Sequence, residues 1–302
     1  MEIFLAEKMG FCFGVKRTVD IAFEIMKKNE RDVVTYGPII HNDDLIEYLK
    51  KNGIEYVESV EYLDNKRVEK VIIRTHGAKR EIIEKIKSMG IKVIDGTCPY
   101  VMRVHRIVEK LSKENYPILI IGNKNHPEII GVTGYISPNV SYFIVKDIDE
   151  LKELFDKGCF SKIKRIGVVT QTTEKIEKVR TIVNYLMDFI PEVRYFKTIC
   201  YATDENQRAI HELAPKVDVV IVIGGKKSSN TIKLYEIAQK YCPRTYHIQN
   251  EEDLKLEWFN KDDKVGITAG ASTPQWIIDK VVERIQFFDT ILKEGEKHEK
   301  VP

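Results

Sequence analysis

The sequence has only five cysteines in 302 residues, an odd number and widely spaced. That excludes the disulfide framework of a small secreted domain and points to metal-binding or catalytic thiols in a reducing compartment. Charge of one sign is equally scarce. The 48 basic and 46 acidic side chains leave a formal net charge of +2 and are scattered along the chain. Such a surface has no basic stripe to track a phosphate backbone, so nucleic acid is not an expected partner. No apolar run approaches the roughly 20 residues that span a bilayer, so no membrane association is expected. The opening Met1-Glu2-Ile3-Phe4-Leu5-Ala6-Glu7-Lys8 is interrupted by charge too early for a secretory core, which predicts a cytoplasmic protein. Nucleotide fingerprints are missing as well. Gly224-Gly225-Lys226-Lys227-Ser228 superficially resembles a phosphate-binding loop, but Val220 stands where the first glycine is required.

What the chain does have is 43% hydrophobic residues, ample for packed cores, and a pattern repeated three times. In each repeat a strand-like run ends on a cysteine and enters an amphipathic helix. Gly10-Phe11-Cys12 precedes a helix over Val15–Met26, Gly96-Thr97-Cys98 one over Val101–Leu111, and Thr198-Ile199-Cys200 one over Asn206–Leu213. An apolar strand follows each helix, at Val33–Tyr36, Ile118–Ile121 and Val217–Ile223. Polar loops come next, carrying His41-Asn42, His126-Pro127-Glu128 and Ser228-Ser229-Asn230. His41, His126 and Ser228 follow their cysteines by 29, 28 and 28 residues. A later strand leads to a further polar turn: Thr75-His76-Gly77, Gln171-Thr172-Thr173 and Ala271-Ser272-Thr273. His76, Thr172 and Ser272 follow their cysteines by 64, 74 and 72 residues.

Strands alternating with helices predict parallel βαβ units, hence an α/β fold of three similar small modules. The boundaries read as 1–97, 98–199 and 200–293, with the N-terminal strand a candidate to join the third module and 294–302 expected to fray. Ligands bind beyond the carboxyl ends of parallel strands, so modules facing one another would bring three cysteines and six polar loops to one cavity.

A cysteine opening a helix meets unpaired N–H groups and the positive end of the dipole, which favour the thiolate. Three such thiolates fit either zinc or an iron–sulfur cluster with one open iron. Cys159 and Cys242 lack the repeated setting and are assigned to packing. His105, His211, His247 and His298 are likewise assigned to core or surface. The loop residues His41, His76, Ser228, Asn230 and Ser272 sit where helix N-termini would receive a diphosphate. Glu128 is the one carboxylate in these loops and the expected proton donor, and Thr172 is a candidate orienting group or relay.

The blocks Gly10-Phe11-Cys12-Phe13-Gly14-Val15, Ile40-His41-Asn42, Thr75-His76-Gly77, Gly96-Thr97-Cys98-Pro99, His126-Pro127-Glu128, Thr170-Gln171-Thr172-Thr173, Ile199-Cys200-Tyr201-Ala202-Thr203, Ser228-Ser229-Asn230 and Thr268-Ala269-Gly270-Ala271-Ser272 occur in that order. Together they resemble the 4-hydroxy-3-methylbut-2-enyl diphosphate reductase family (IspH/LytB), over most of the chain. The resemblance implies three modules in pseudo-threefold arrangement around a 4Fe-4S cluster held by Cys12, Cys98 and Cys200, with one iron open to the substrate hydroxyl. It implies reductive removal of that hydroxyl to give isopentenyl and dimethylallyl diphosphate, the last step of the non-mevalonate route. By the same resemblance Glu128 supplies protons, His126 and Thr172 hold the hydroxyl, and His41, His76, Ser228, Ser229, Asn230 and Ser272 hold the diphosphate. An external ferredoxin or flavodoxin is the implied electron donor, and a monomer the implied state. A quinolinate-synthase-like cluster enzyme, a non-catalytic iron–sulfur sensor and a three-cysteine zinc hydrolase are the competing readings.

Overall fold

The computed structural model describes residues 1–64 and 67–299. The chain runs β1 (Glu2–Leu5), α1 (Phe13–Lys27), β2 (Val33–Tyr36), α2 (Asp43–Lys51), β3 (Glu55–Val57), β4 (Lys70–Ile73), α3 (Arg80–Ser88) and β5 (Lys92–Asp95). It continues through α4 (Pro99–Lys113), β6 (Ile118–Ile121), α5 (Pro127–Thr133), β7 (Tyr142–Val145), α6 (Ile148–Asp156), β8 (Arg165–Thr170), α7 (Ile176–Phe189) and β9 (Glu192–Tyr195). The last part is α8 (Tyr201–Leu213), β10 (Val219–Ile223), α9 (Ser229–Ala238), β11 (Thr245–Ile248), β12 (Lys264–Ala269) and α10 (Gln275–Glu299).

The strands form three four-stranded sheets, ordered β3-β2-β4-β5, β7-β6-β8-β9 and β1-β12-β10-β11, and every pairing is parallel. The fold is therefore α/β with three parallel sheets. β1 pairs with β12, so the N-terminal strand closes the sheet built from the last part of the chain. Residues 294–299, expected to fray, continue α10 as far as Glu299, while 300–302 of that expected tail lie outside the described residues.

Parallel strands covered on both faces read as continuous apolar runs, and that is what the inner strands are. Val219-Val220-Ile221-Val222-Ile223 of β10 and Ile118-Leu119-Ile120-Ile121 of β6 are buried throughout. The outer strands β1, β5 and β9 contain only exposed and half-buried residues.

Two compact units contain these sheets. One comprises Met1–Phe13, His41–Leu45 and residues from 201 onward. Its core packs β10 and β12 against α10 through Ile221, Ile267, Ile277 and Val281 on one face. On the other face Val220 and Val222 meet α8 and α9 through Ile210 and Leu234. The second unit comprises Gly14–Ile40 and Ile46–Cys200 and holds the other two sheets. Here α4, which follows β5 in the chain, packs on β6 and β8 through Val104, Val108 and Leu111. The chain therefore leaves one sheet at Cys98 and covers the next. On the opposite face of that sheet, Val179, Ile182 and Leu186 of α7 pack against Leu119, Ile121, Ile166 and Val168.

Candidate active site

In each sheet the strand order reverses between two inner strands, β2 and β4, β6 and β8, or β10 and β12. Ligands of open parallel sheets bind at such reversals, beyond the carboxyl ends of the strands. The segments leaving those six strands carry His41 and His76, His126-Pro127-Glu128 and Thr172, and Ser228-Ser229-Asn230 and Ser272.

The cysteines follow the outer strands: Cys98 comes after β5, Cys200 after β9 and Cys12 after β1. One backbone contact repeats at all three. Cys98 N–H donates to Thr75 O at 2.9 Å, Cys200 N–H to Thr172 O at 2.9 Å and Cys12 N–H to Ala271 O at 3.2 Å. Each cysteine is thus registered against the polar turn of the strand beside it. Cysteine and turn share a sheet even though the repeat in sequence counts each cysteine forward to loops of a different strand set. Sequence spacing could not show that pairing.

In the unit built on the β10 sheet, Ser228 caps α9, its Oγ accepting from Thr231 N–H at 3.4 Å. The Ser272 hydroxyl lies 3.4 Å from Ser228 Oγ and 3.5 Å from His41 O. A Cβ on Gly225 would come within 2.3 Å of His41 O, so the close approach of these loops depends on that glycine. Asn230 is 4% exposed, and neither its Nδ2 nor its Oδ1 has a hydrogen-bond partner among the described residues. A buried amide left so costs about 1–3 kcal/mol, which a ligand accepting from Nδ2 would recover. Ser229 Oγ accepts from Lys233 Nζ at 3.2 Å. His247, within β11, donates from Nε2 to Gly224 O at 2.9 Å and steadies the turn leading to Ser228. Burial holds the His247 pKa below the usual imidazole value.

In the other unit, Glu128 opens α5 and is 2% exposed. Both of its carboxylate oxygens accept hydrogen bonds from one residue, from Thr172 N–H at 2.6 Å and from Thr172 Oγ1 at 2.7 Å. His126 is the N-cap of α5, its Nδ1 accepting from Glu128 N–H at 3.2 Å. A neutral imidazole held this way carries its proton on Nε2. The His126 and His76 rings meet edge to face, centroids 5.2 Å apart. Gln171, which carries no role in the sequence reading, accepts from Asn123 N–H and donates to Thr173 Oγ1, tying the loop after β6 to the turn after β8.

Cys98 is held most closely. Arg17 donates to Thr97 O and Asp95 O, and Thr18 Oγ1 to Gly96 O, so α1 grips three successive carbonyls before the cysteine. The Cys98 sulfur occupies the space a side chain would take on Gly14: a Cβ there would lie 2.3 Å from Sγ. All five cysteines are thiols. Cys242 packs in the core as expected, with its Sγ against Asp218 O, but Cys159 is exposed rather than packed, because the turn after α6 carries it outward. Cys12, Cys98 and Cys200 each stand just before a helix, and the Cys98 thiol sits in a cradle reserved by a glycine; a thiol in such a setting suits a thiophilic metal group.

Residues 3–286 match the family described as LytB protein. A 4-hydroxy-3-methylbut-2-enyl diphosphate reductase of Campylobacter lari is 47% identical over 292 residues, covering 96% of this chain and 100% of the relative. The Aquifex aeolicus protein of that name is 44% identical over 287 residues, 95% of this chain and 96% of its own. A solved structure of (E)-4-hydroxy-3-methyl-but-2-enyl diphosphate reductase, described as the terminal enzyme of the non-mevalonate pathway, superposes with a TM-score of 0.69 at 43% identity. It covers 95% of this chain and 100% of its own. The Plasmodium falciparum reductase gives a TM-score of 0.83 at 30% identity, over 93% of this chain and 87% of its own. With the match running nearly end to end and the motif blocks at the ends of the strands, this chain belongs to the LytB family.

Proposed function

We propose that this protein reduces (E)-4-hydroxy-3-methylbut-2-enyl diphosphate to isopentenyl and dimethylallyl diphosphate, the terminal step of the non-mevalonate pathway. The observation that carries the reading is the repeated register of Cys12, Cys98 and Cys200 against the polar turns, together with family membership. These three cysteines would hold one 4Fe-4S cluster, each from one of the modules 1–97, 98–199 and 200–293. When bound, that group supplies the electrons and a Lewis-acidic iron for the allylic oxygen.

The chain's own residues then have three tasks. Asn230, Ser228, Ser229, Ser272, His41 and His76 bind the diphosphate, using hydroxyl, amide and imidazole donors suited to anionic oxygens. His126 and Thr172 orient the hydroxyl, His126 through its Nε2–H. Glu128 supplies the two protons of the reduction, one to the oxygen that leaves as water and one to the reduced carbon skeleton, and the Thr172 grip on its carboxylate aims it. The electrons come from an external ferredoxin or flavodoxin, and the enzyme acts as a cytoplasmic monomer. Among the described residues no helix is long and apolar enough to cross a membrane.

The test is product analysis. Cluster-loaded protein, reduced anaerobically and given the allylic diphosphate, should release both five-carbon diphosphates with the hydroxyl gone. Recovery of unchanged substrate from protein shown to carry its cluster would exclude this function.

A further inference from the structure

His105 lies in α4, seven residues beyond Cys98, and takes no part in the site as described. It is 4% exposed, far more buried than a surface histidine. One face stacks on Tyr135, with centroids 4.0 Å apart and planes 15° from parallel, and the Arg80 guanidinium lies 5.0 Å from the Tyr135 ring centre. The edge of the imidazole presses on Gly77. A Cβ at Gly77 would meet His105 Cε1 at 2.9 Å and Thr97 Cγ2 at 3.1 Å.

Gly77 has φ +75 and donates its N–H to Arg74 O, closing a tight turn that presents His76. The far side of the turn rests on α5, where a Cβ on Gly131 would lie 3.5 Å from His76 O and 3.6 Å from Ala78 N. The turn is therefore clasped between the helix opened by Cys98 and the helix that carries Glu128. Burial lowers the His105 pKa to about 4, so at neutral pH the ring is an uncharged aromatic slab. Its Nε2 has no hydrogen-bond partner among the described residues. Packing, and not charge or hydrogen bonding through Nε2, is what this ring contributes.

We propose that His105 is a positioning residue: its ring, backed by Tyr135 and Arg80, wedges the Gly77 turn against α5 and so fixes where His76 meets the substrate diphosphate. The proposal rests on the assignment of His76 to diphosphate binding. A hydrogen bond to a charged group contributes at least about tenfold in affinity, so a loss of about tenfold is expected when the wedge is removed and the His76 contact is misplaced.

The test uses the cluster-loaded holoenzyme and compares His105→Ala, His105→Phe, His76→Ala and the double alanine variant. KM for the allylic diphosphate and the calorimetric Kd for inorganic diphosphate are read beside iron content and melting temperature. His105→Ala should raise both constants about tenfold with kcat and iron content little changed, as expected for a group that acts on binding geometry. Phenylalanine keeps the flat ring and should restore both. The double variant should be no worse than His76→Ala, because the two residues act through one contact. Should the alanine variant fail to fold, His105→Leu, similar in volume but not planar, takes its place. Normal constants in His105→Ala, with His76→Ala impaired, would overturn the wedge. Fully additive losses would overturn it too. Normal constants in His76→Ala would remove the diphosphate assignment itself, and the proposal with it.

Discussion

Replacing Gly14 by alanine separates folding from cluster binding. Gly14 is the second residue of α1, and its backbone is not in the left-handed region, so alanine is conformationally acceptable there. On backbone grounds alone the change would stabilise the chain by about 0.4–1 kcal/mol. The added methyl, however, would lie 2.3 Å from Cys98 Sγ and 3.2 Å from Cys98 Cβ. Comfortable contact needs roughly 3.5–4.0 Å, so the sulfur must withdraw by more than about 1 Å. A metal–ligand bond tolerates a displacement of only about 0.2 Å. Cys98 cannot yield by moving its backbone, because Arg17, Thr18 and Thr75 O hold the strand end on three sides. Overpacking of this kind costs about 1–3 kcal/mol, so Gly14→Ala should fold with a modest loss of stability. Anaerobic reconstitution followed by iron and sulfide analysis should then show a cluster that fails to assemble or is lost on desalting. A Gly14→Ala protein with full iron content and an unchanged cluster spectrum would refute the placement of Cys98 as a ligand.

Other substitutions test the remaining parts of the site. Glu128→Gln keeps a buried side chain of the same shape but not its acid, and should lower kcat by about 100-fold or more while KM stays within a few-fold; near-normal turnover would remove Glu128 as proton donor. Asn230→Ala deletes a buried amide with no hydrogen-bond partner among the described residues, so it should leave melting temperature level or slightly raised while KM rises by about tenfold or more, equivalent to about 1.4 kcal/mol. A fall in stability with unchanged KM would make Asn230 structural. His105 sets part of the acid limb of stability. Its pKa is lowered by burial from 6.5 to about 4, with Asp95 opposing and Arg80 reinforcing the shift. Well above pH 6.5 the histidine is neutral whether folded or unfolded. As pH falls from 6.5 towards 4 the unfolded chain takes up the proton first, so stability drops, by about 2 kcal/mol between pH 7 and 5. Urea midpoints of wild type and His105→Phe at those two pH values measure it, and equal slopes would contradict the burial of a neutral ring.

Much of this organisation was legible in the sequence, and the reasons for the exceptions are local. β2 and β6 are apolar runs covered on both faces, so Val33–Tyr36 and Ile118–Ile121 were readable to the residue. The three helices after the cysteines begin earlier than periodicity suggests, at Phe13, Pro99 and Tyr201 rather than Val15, Val101 and Asn206. Their first turns do not face a core: Phe13 is 70% and Tyr201 63% exposed, so the apolar rhythm starts late. The outer strands β5 and β9 are four residues long and half-exposed, and nothing local in them announces which sheet they join. The match of each cysteine to its neighbouring turn therefore emerged only from strand pairing. The roles of Gly14 and His105 were hidden for a similar reason. One depends on space left vacant for another residue's sulfur, and the other on a stack between α4 and the turn after α5, 30 residues on in the chain.

The most direct measurement is anaerobic oxidation of reduced methyl viologen by cluster-loaded protein, with and without 4-hydroxy-3-methylbut-2-enyl diphosphate. Rapid oxidation that depends on the diphosphate, two electrons for each substrate consumed, is the predicted result. Protein that carries its cluster and oxidises the dye no faster when substrate is added would contradict the assignment of this chain as the reductase.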